Sequence, residues 1–117
     1  MYRGKKIALT IPARNEERLI GPTLEGVPET VDRIYVVDDG STDDTVRVAR
    51  ENEVDHIVQL TSNQGLARAF MTGLEHCLQF GADIIVHTDA DNQYNADDIQ
   101  VLTAPILNHR SEIVIGT

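Results

Sequence analysis

Short apolar runs alternate along the chain with longer segments of helical period. The runs are Ile7–Ile11, Ile34–Val37, His56–Leu60, Ile84–Thr88 and Ile113–Ile115, and most of them are continuously apolar. Unbroken apolar strands suit a sheet covered on both faces, because neither face meets water. Between the runs, apolar residues recur at helical intervals. Glu17–Gly26 carries Leu19, Ile20 and Leu24, and Asp44–Asn52 carries Val46, Val48 and Ala49. Gly65–Phe80 sets Leu66, Phe70, Leu74, Cys77 and Leu78 along one face, and Ala96–Asn108 does the same with Ile99, Leu102 and Ile106. Asn95 is placed to cap that last helix, with Asp98 in its first turn to oppose the helix dipole. The alternation predicts an α/β fold, a mostly parallel sheet with helices on both faces.

Such sheets bind ligands beyond the carboxyl ends of their strands. In this chain those ends are polar. The first strand runs into Pro12-Ala13-Arg14-Asn15-Glu16, and the second into Asp38-Asp39-Gly40-Ser41-Thr42-Asp43. The third runs into Thr61-Ser62-Asn63-Gln64-Gly65, and the fourth into Asp89-Ala90-Asp91-Asn92-Gln93. The candidate chemistry is thereby expected on one edge of the sheet.

Bulk properties narrow the partners. A chain of 117 residues fits a single domain, residues 1–117, and its 41% apolar content is that of a globular protein. A formal net charge of −9 argues against nucleic acid and anionic membrane surfaces, both of which reward clustered Lys and Arg. Cys77 is the single cysteine, so no internal disulfide forms, and a reducing, cytoplasmic setting is expected. The basic start Met1–Lys6 leads into too short an apolar run for a signal peptide, and no stretch could span a bilayer. A membrane-associated longer parent stays compatible with all of this.

Asp89-Ala90-Asp91 is the sharpest local feature. Two carboxylates one residue apart repel unless a cation lies between them, and carboxylate oxygens suit Mg²⁺ or Mn²⁺. Such an ion would neutralise a departing diphosphate. Gln93 adds an oxygen at the next alternate position. The alternative is a solvated acidic turn. In the second loop, Gly40 permits a positive-φ turn, one aspartate is able to accept from ribose hydroxyls or a base N–H, and Ser41 or Asp43 is able to cap the next helix. In the first loop, Pro12 stiffens the exit from the sheet, Arg14 is suited to a base or phosphate, and Glu16 is expected to face the same cleft. Asn63-Gln64-Gly65 opens a helix bearing Arg68 and Thr72, a position that favours phosphate. Each of these loops also reads as ordinary turn and cap chemistry. His87 reads as a partly buried strand residue and Cys77 as a packed thiol. His56, His76 and His109 show no ligand spacing.

The order of the loops carries more than any one of them. Ile11–Glu16, Val37–Asp43, Asn63–Gly65 and Thr88–Gln93 resemble the successive motifs of family-2 glycosyltransferases with the GT-A fold. The D-A-D-x-Q form is most similar to dolichol- and polyprenyl-phosphate mannosyl- and glucosyltransferases. The resemblance implies a Rossmann-like sheet and inverting sugar transfer from a nucleoside diphosphate sugar, such as GDP-mannose or a UDP-hexose. It implies that Pro12, Arg14, Glu16, Val37 and Asp39 line the nucleoside pocket. Asp89, Ala90 and Asp91 would hold the diphosphate, and Asp89, Asp91 and Gln93 the Mg²⁺ or Mn²⁺. The acceptor is left open, a lipid phosphate among the candidates. In relatives the last strand leads on into the acceptor half. The expectation is therefore a donor-binding half truncated before the acceptor half, with the acceptor base beyond Thr117 and no catalytic base assigned within the chain. A non-catalytic nucleotide-sugar-binding module is the alternative.

Other families fit poorly. A dehydrogenase needs G-x-G-x-x-G, which is absent. A haloacid-dehalogenase-type phosphatase carries its paired aspartates on the first strand, and a response-regulator receiver carries its acids there.

Overall fold

A strand with all seven residues buried, β1 (Ile7–Ala13), forms the centre of the molecule. The computed structural model describes residues 4–88, 90 and the strand 112–115. Around β1 lie α1 (Ile20–Glu25), β2 (Arg33–Asp38), α2 (Thr45–Glu51), β3 (His56–Gln59), α3 (Leu66–Phe80), β4 (Ile84–His87) and β5 (Glu112–Ile115). The five strands run in the order β3-β2-β1-β4-β5, and every pairing is parallel. The sequence leaves β1 in both directions, through β2 to β3 and through β4 to β5. The strand order therefore reverses beside β1, the place where open α/β sheets form their ligand crevice. The helix expected over Ala96–Asn108, with Asn95 and Asp98, lies outside the described residues. Among the described residues no helix is long and apolar enough to cross a membrane.

Side-chain alternation divides the core into two layers. Ile7, Leu9 and Ile11 face one way and pack with Val36, Ile84 and Val86 against Ile20 and Leu24 of α1 and Ala49 of α2. Ala8, Tyr35 and Ile85 face the other way, against Cys77 of α3. Ile7, Leu9 and Ile11 are each at most 1% exposed, and burial on this scale contributes roughly 1.5–3 kcal/mol per side chain.

Three aspartates align the lower edge of the sheet, and each stands immediately before a strand. Asp32 precedes β2, and its carboxylate accepts from the Ile7 N–H at 2.8 Å. Asp83 precedes β4 and accepts from the Lys6 N–H at 2.8 Å, and Asp55 precedes β3 and accepts from the Ile34 N–H at 2.8 Å. Each carboxylate thus satisfies an amide at the start of the neighbouring strand and fixes where pairing begins.

Two helices differ from their predicted form. Residues 17–19 make a turn and α1 starts only at Ile20, which leaves Leu19 exposed and Pro22 within the first helical turn, where its missing N–H costs little. On α3 the buried residues are Ala69, Gly73 and Cys77, while Leu66 and Leu78 are 66% and 53% exposed. Of the expected stripe, Cys77 is buried and Leu74 packs against its cluster, while Leu66 and Leu78 flank the contact. The reason lies at Gly73, where a Cβ would fall on the Thr10 Oγ1 atom and stand 3.3 Å from Val37 Cγ2. Small residues let the helix axis come down onto β1 and β2, and large ones on that line would hold it off. Cys77 sits in this dry contact, and burial pushes its thiol up to about 12.

Gly73→Ala should destabilise the domain by about 1–3 kcal/mol, the scale of overpacking a tight core. Thr10→Ala in the same chain should recover part of that loss, because it removes the nearest clashing atom. Urea melts of the two single variants and the double variant measure the coupling. Additive losses would mean that Thr10 and Gly73 do not meet.

Candidate active site

A cleft of about 400 Å³ opens at the carboxyl ends of the central strands. Pro12, Ala13, Arg14 and Glu16 line it from the end of β1, and Asp39 lines it from the end of β2. Asn63, Gly65, Leu66 and Ala69 contribute from the start of α3, and Ala90 from the turn after β4. Pro12 is tolerated inside the central strand for a local reason. Ala13 O accepts from Asp39 N on the β2 side, whereas Thr10 O accepts from Thr88 N on the β4 side. Alternation then turns the Pro12 nitrogen toward β4, whose last paired residue, His87, lies opposite Thr10. The missing N–H thus falls where the β1–β4 ladder stops, and β1 overruns β4 into the cleft.

The cleft loops are joined by hydrogen bonds. Asp39 is 6% exposed, and its Oδ1 and Oδ2 accept from the Gln64 N–H at 2.7 Å and the Gly65 N–H at 3.0 Å. With its amide nitrogen toward Asp39, Asn63 donates to Oδ2 at 2.8 Å, and its oxygen accepts from Arg14 Nη1 at 2.6 Å. Arg14, Asn63 and Asp39 thereby form a chain of contacts across the cleft mouth. Gly40 turns with φ of 75°, and a Cβ there would stand 2.9 Å from the Asn63 nitrogen. Both the turn and this close approach require glycine.

The first and second loops interlock in the same way. Asn15 adopts a φ of 53°, its N–H donates to Ser41 Oγ at 2.9 Å, and its Oδ1 accepts from the Thr42 N–H at 2.9 Å. Glu16 N–H donates to Thr45 Oγ1 at 2.8 Å. Asp43 accepts from the hydroxyl and N–H of Thr45 and, at 3.3 Å, from the Glu17 N–H. Partial desolvation pushes the Asp43 carboxyl up, but these donors outweigh it and hold it below its ordinary value. Asp43 thus takes up the first N–H of α2 from one residue before the N-cap position, which Asp44 holds without a side-chain cap bond. Ser41 ties the loop to Asn15. On the far side of the cleft, Thr23 Oγ1 donates to the buried Ala90 carbonyl at 3.2 Å and so anchors the turn after β4 to α1.

Of the residues expected to bind nucleotide, Pro12, Arg14, Glu16, Asp39 and Ala90 are brought to this cleft. Val37 is not. It is fully buried, and alternation turns it toward Gly73 of α3. Asp89, Asp91 and Gln93 lie outside the described residues. Thr117, past which the acceptor base is expected, lies outside them as well. The phosphate expectation for Asn63-Gln64-Gly65 changes, because the Gln64 and Gly65 amides are already committed to Asp39. Thr72 turns its hydroxyl back to the Arg68 carbonyl at 2.9 Å. His87 is buried, with its ring edge-on to Phe70 at 4.8 Å. Leu66 and Ala69 line the cleft without having been singled out, since the helical period assigned Leu66 to the core. Among the described residues, no group of three or more His, Cys, Asp or Glu is arranged around a metal position.

The sheet order, with polar loops gathered at its reversal point, is that of a Rossmann-like sheet, and its structural neighbours are glycosyltransferases of the GT-A fold. Residues 9–117 match the family described as glycosyl transferase family 2, and the chain belongs to that family. It is 35% identical over 130 residues to the UDP-N-acetylglucosamine–dolichyl-phosphate N-acetylglucosaminyltransferase of Methanococcus voltae, covering 97% of this chain and 52% of that protein. It is 30% identical over 121 residues to the undecaprenyl-phosphate mannosyltransferase of Micrococcus luteus, covering 96% of this chain and 48% of that one. The chain thus spans about half the length of these relatives. A crystal structure of glucosyl-3-phosphoglycerate synthase from Mycobacterium tuberculosis, in complex with Mn²⁺, UDP-glucose and phosphoglyceric acid, superimposes with a TM-score of 0.74 at 26% identity. That match covers 89% of this chain and 40% of the synthase. The chain is therefore related to the polyprenyl-phosphate sugar transferases.

Asp39→Ala should lower stability by about 1–3 kcal/mol, because the Gln64 and Gly65 amides lose their acceptor. Denaturant melts check this, and an unchanged midpoint would count against the pinning role. Asp43 gives a pH prediction. Its folded-state carboxyl lies below the ordinary 3.8, so its contribution is present above that pH and is lost as pH falls through the lowered value. Asp43→Asn should therefore be less stable than the parent at neutral pH, by about 1 kcal/mol, with the gap closing on acidification below pH ~4. A gap that widens in acid would contradict the assignment.

Proposed function

We propose that this domain binds a nucleoside diphosphate sugar in the cleft at the ends of β1, β2 and β4, for inverting transfer of its sugar to a polyprenyl phosphate. The observation that carries this reading is the Asp39 carboxylate. It is fixed at the cleft wall by backbone donors, and its third and fourth lone-pair positions are not all used. A carboxylate so held offers an acceptor to a base N–H or ribose hydroxyl without first losing its own freedom. Pro12 and Ala13 supply a rigid floor, Leu66 and Ala69 an apolar wall, and Arg14 a cation at the mouth. The Arg14–Asn63 contact would have to open, or share its donors, as the ligand enters.

A divalent cation, Mg²⁺ or Mn²⁺, belongs to the same proposal. Asp39 is a poor ligand because both of its oxygens face N–H donors. The carboxylates after β4, Asp89 and Asp91, with Gln93, are the donor set suited to a hard dication. When bound, the ion would neutralise charge on the leaving diphosphate. The described turn at Ala90 supports the placement, since its carbonyl is tied to Thr23 and its side chain lines the cleft. Uridine is the first base to test, because the Methanococcus and Mycobacterium relatives are named for or crystallised with UDP compounds. The names of the Methanococcus and Micrococcus transferases support the lipid phosphate acceptor.

Calorimetry with UDP and GDP, in Mn²⁺ and in EDTA, tests the donor reading. Tighter binding with the metal is expected, and Asp91→Ala should abolish the difference while leaving the melting temperature unchanged. Equal affinity with and without metal would remove the cation from the proposal. Asp39→Ala should cost roughly 1.5–3 kcal/mol of affinity, the scale of a hydrogen bond to a charged group. Label transfer from donor to polyprenyl phosphate, against phosphoglycerate as the competing acceptor, checks the acceptor class in the longest polypeptide carrying this sequence.

A further inference from the structure

The fold brings together two histidines that stand twenty residues apart, on the sheet face that α3 covers. His56 begins β3 and pairs directly with Tyr35 of β2. His76 lies on α3 next to the buried Cys77. The two imidazole centroids are 5.3 Å apart, and each is also in ring contact with Tyr35, at 6.3 and 5.8 Å. His56 is exposed and His76 partly exposed, so solvent reaches the pair.

This separation has a chemical meaning. An imidazole nitrogen binds Zn²⁺ at about 2.0–2.1 Å, so two rings on one tetrahedral ion have centroids roughly 5 Å apart. Rings packed only for aromatic contact span about 4.5–7 Å, which also includes the observed value. Both rings reach solvent, which leaves room for an ion and its waters, and accessible imidazole is a ligand for borderline ions such as Zn²⁺, Ni²⁺ and Cu²⁺. We propose that His56 and His76 form a two-histidine clamp for a borderline transition-metal ion, distinct from the hard-cation position after β4, with water filling the remaining coordination sites.

The clamp would act on a lightly covered edge of the sheet. β3 is an edge strand with no fully buried residue. It leads into the loop whose Gln64 and Gly65 amides hold Asp39. His56 precedes that loop and His76 follows it, so an ion held by both ties the two stems of the loop together. Binding to the folded state alone stabilises it by mass action, and local opening of β3 is the motion it would suppress.

The test uses the untagged chain with NiCl₂ at neutral pH. Thermal melts should show a saturable rise in midpoint, on the order of 2 °C or more, with Ni²⁺ and none with Mg²⁺. His56→Phe and His76→Phe keep an aromatic ring against Tyr35 but remove the ligand, and each alone should abolish the rise. Hydrogen exchange at residues 57–66 should slow with Ni²⁺ in the parent and not in either variant. No rise in the parent, or a rise retained in both variants, would overturn the proposal, the latter by moving the ion to another site.

Discussion

β1 has a neighbour in every direction: β2 and β4 along its edges, α1 on one face and α3 on the other. A strand in that position must be apolar on the face that α1 covers and leaves no room for a bulky side chain on the face that α3 covers. Ile7, Leu9 and Ile11 meet the first demand, and Gly73, opposite Thr10, meets the second. Because α3 lies so close, Leu66 and Leu78 sit at its flanks, and Leu66 reaches the cleft. A packing constraint at the centre of the sheet thus decides which side chain lines the candidate site.

The cleft obeys a second constraint, the satisfaction of backbone groups. Its walls are irregular loops, which leave amides that the sheet cannot pair. Asp39, Asn15, Asp43 and Thr45 supply those partners. The polar residues there hold the loops in place, and Asp39 does so while lining the cleft. A carboxylate with two fixed donors is a more rigid acceptor than one free in solvent, and that rigidity is what a binding site needs.

Much of this was legible in the sequence. Continuous apolar runs marked the parallel strands, and the four polar loops at their ends marked the edge that holds the cleft. Pro12, Arg14, Glu16, Asp39 and Ala90 were nominated and are gathered there. What periodicity missed was depth. It assigned Leu66 and Leu78 to the core because leucines at helical spacing usually are, whereas the close helix–sheet contact selects small residues instead. Val37 was misplaced through strand parity, since its position beside Asp38 and Asp39 says nothing about which face it occupies. The Asp32, Asp55 and Asp83 pins were visible as an aspartate before each of three apolar runs, but their partners lie on other strands and only the fold names them. His56 and His76 are likewise joined by topology alone.

Those three aspartates have a further consequence. They lie at the amino-terminal rim, across the sheet from the cleft, and each couples the start of one strand to the start of the next. Strand alignment is therefore specified at the rim away from the cleft. Loops at the opposite rim can then lengthen, shorten or change composition without shifting the alternation that keeps the core inside. Such an arrangement separates the alignment of the scaffold from the make-up of the loops that line the cleft, so the residues beyond the strand ends answer to different demands from those that hold the sheet.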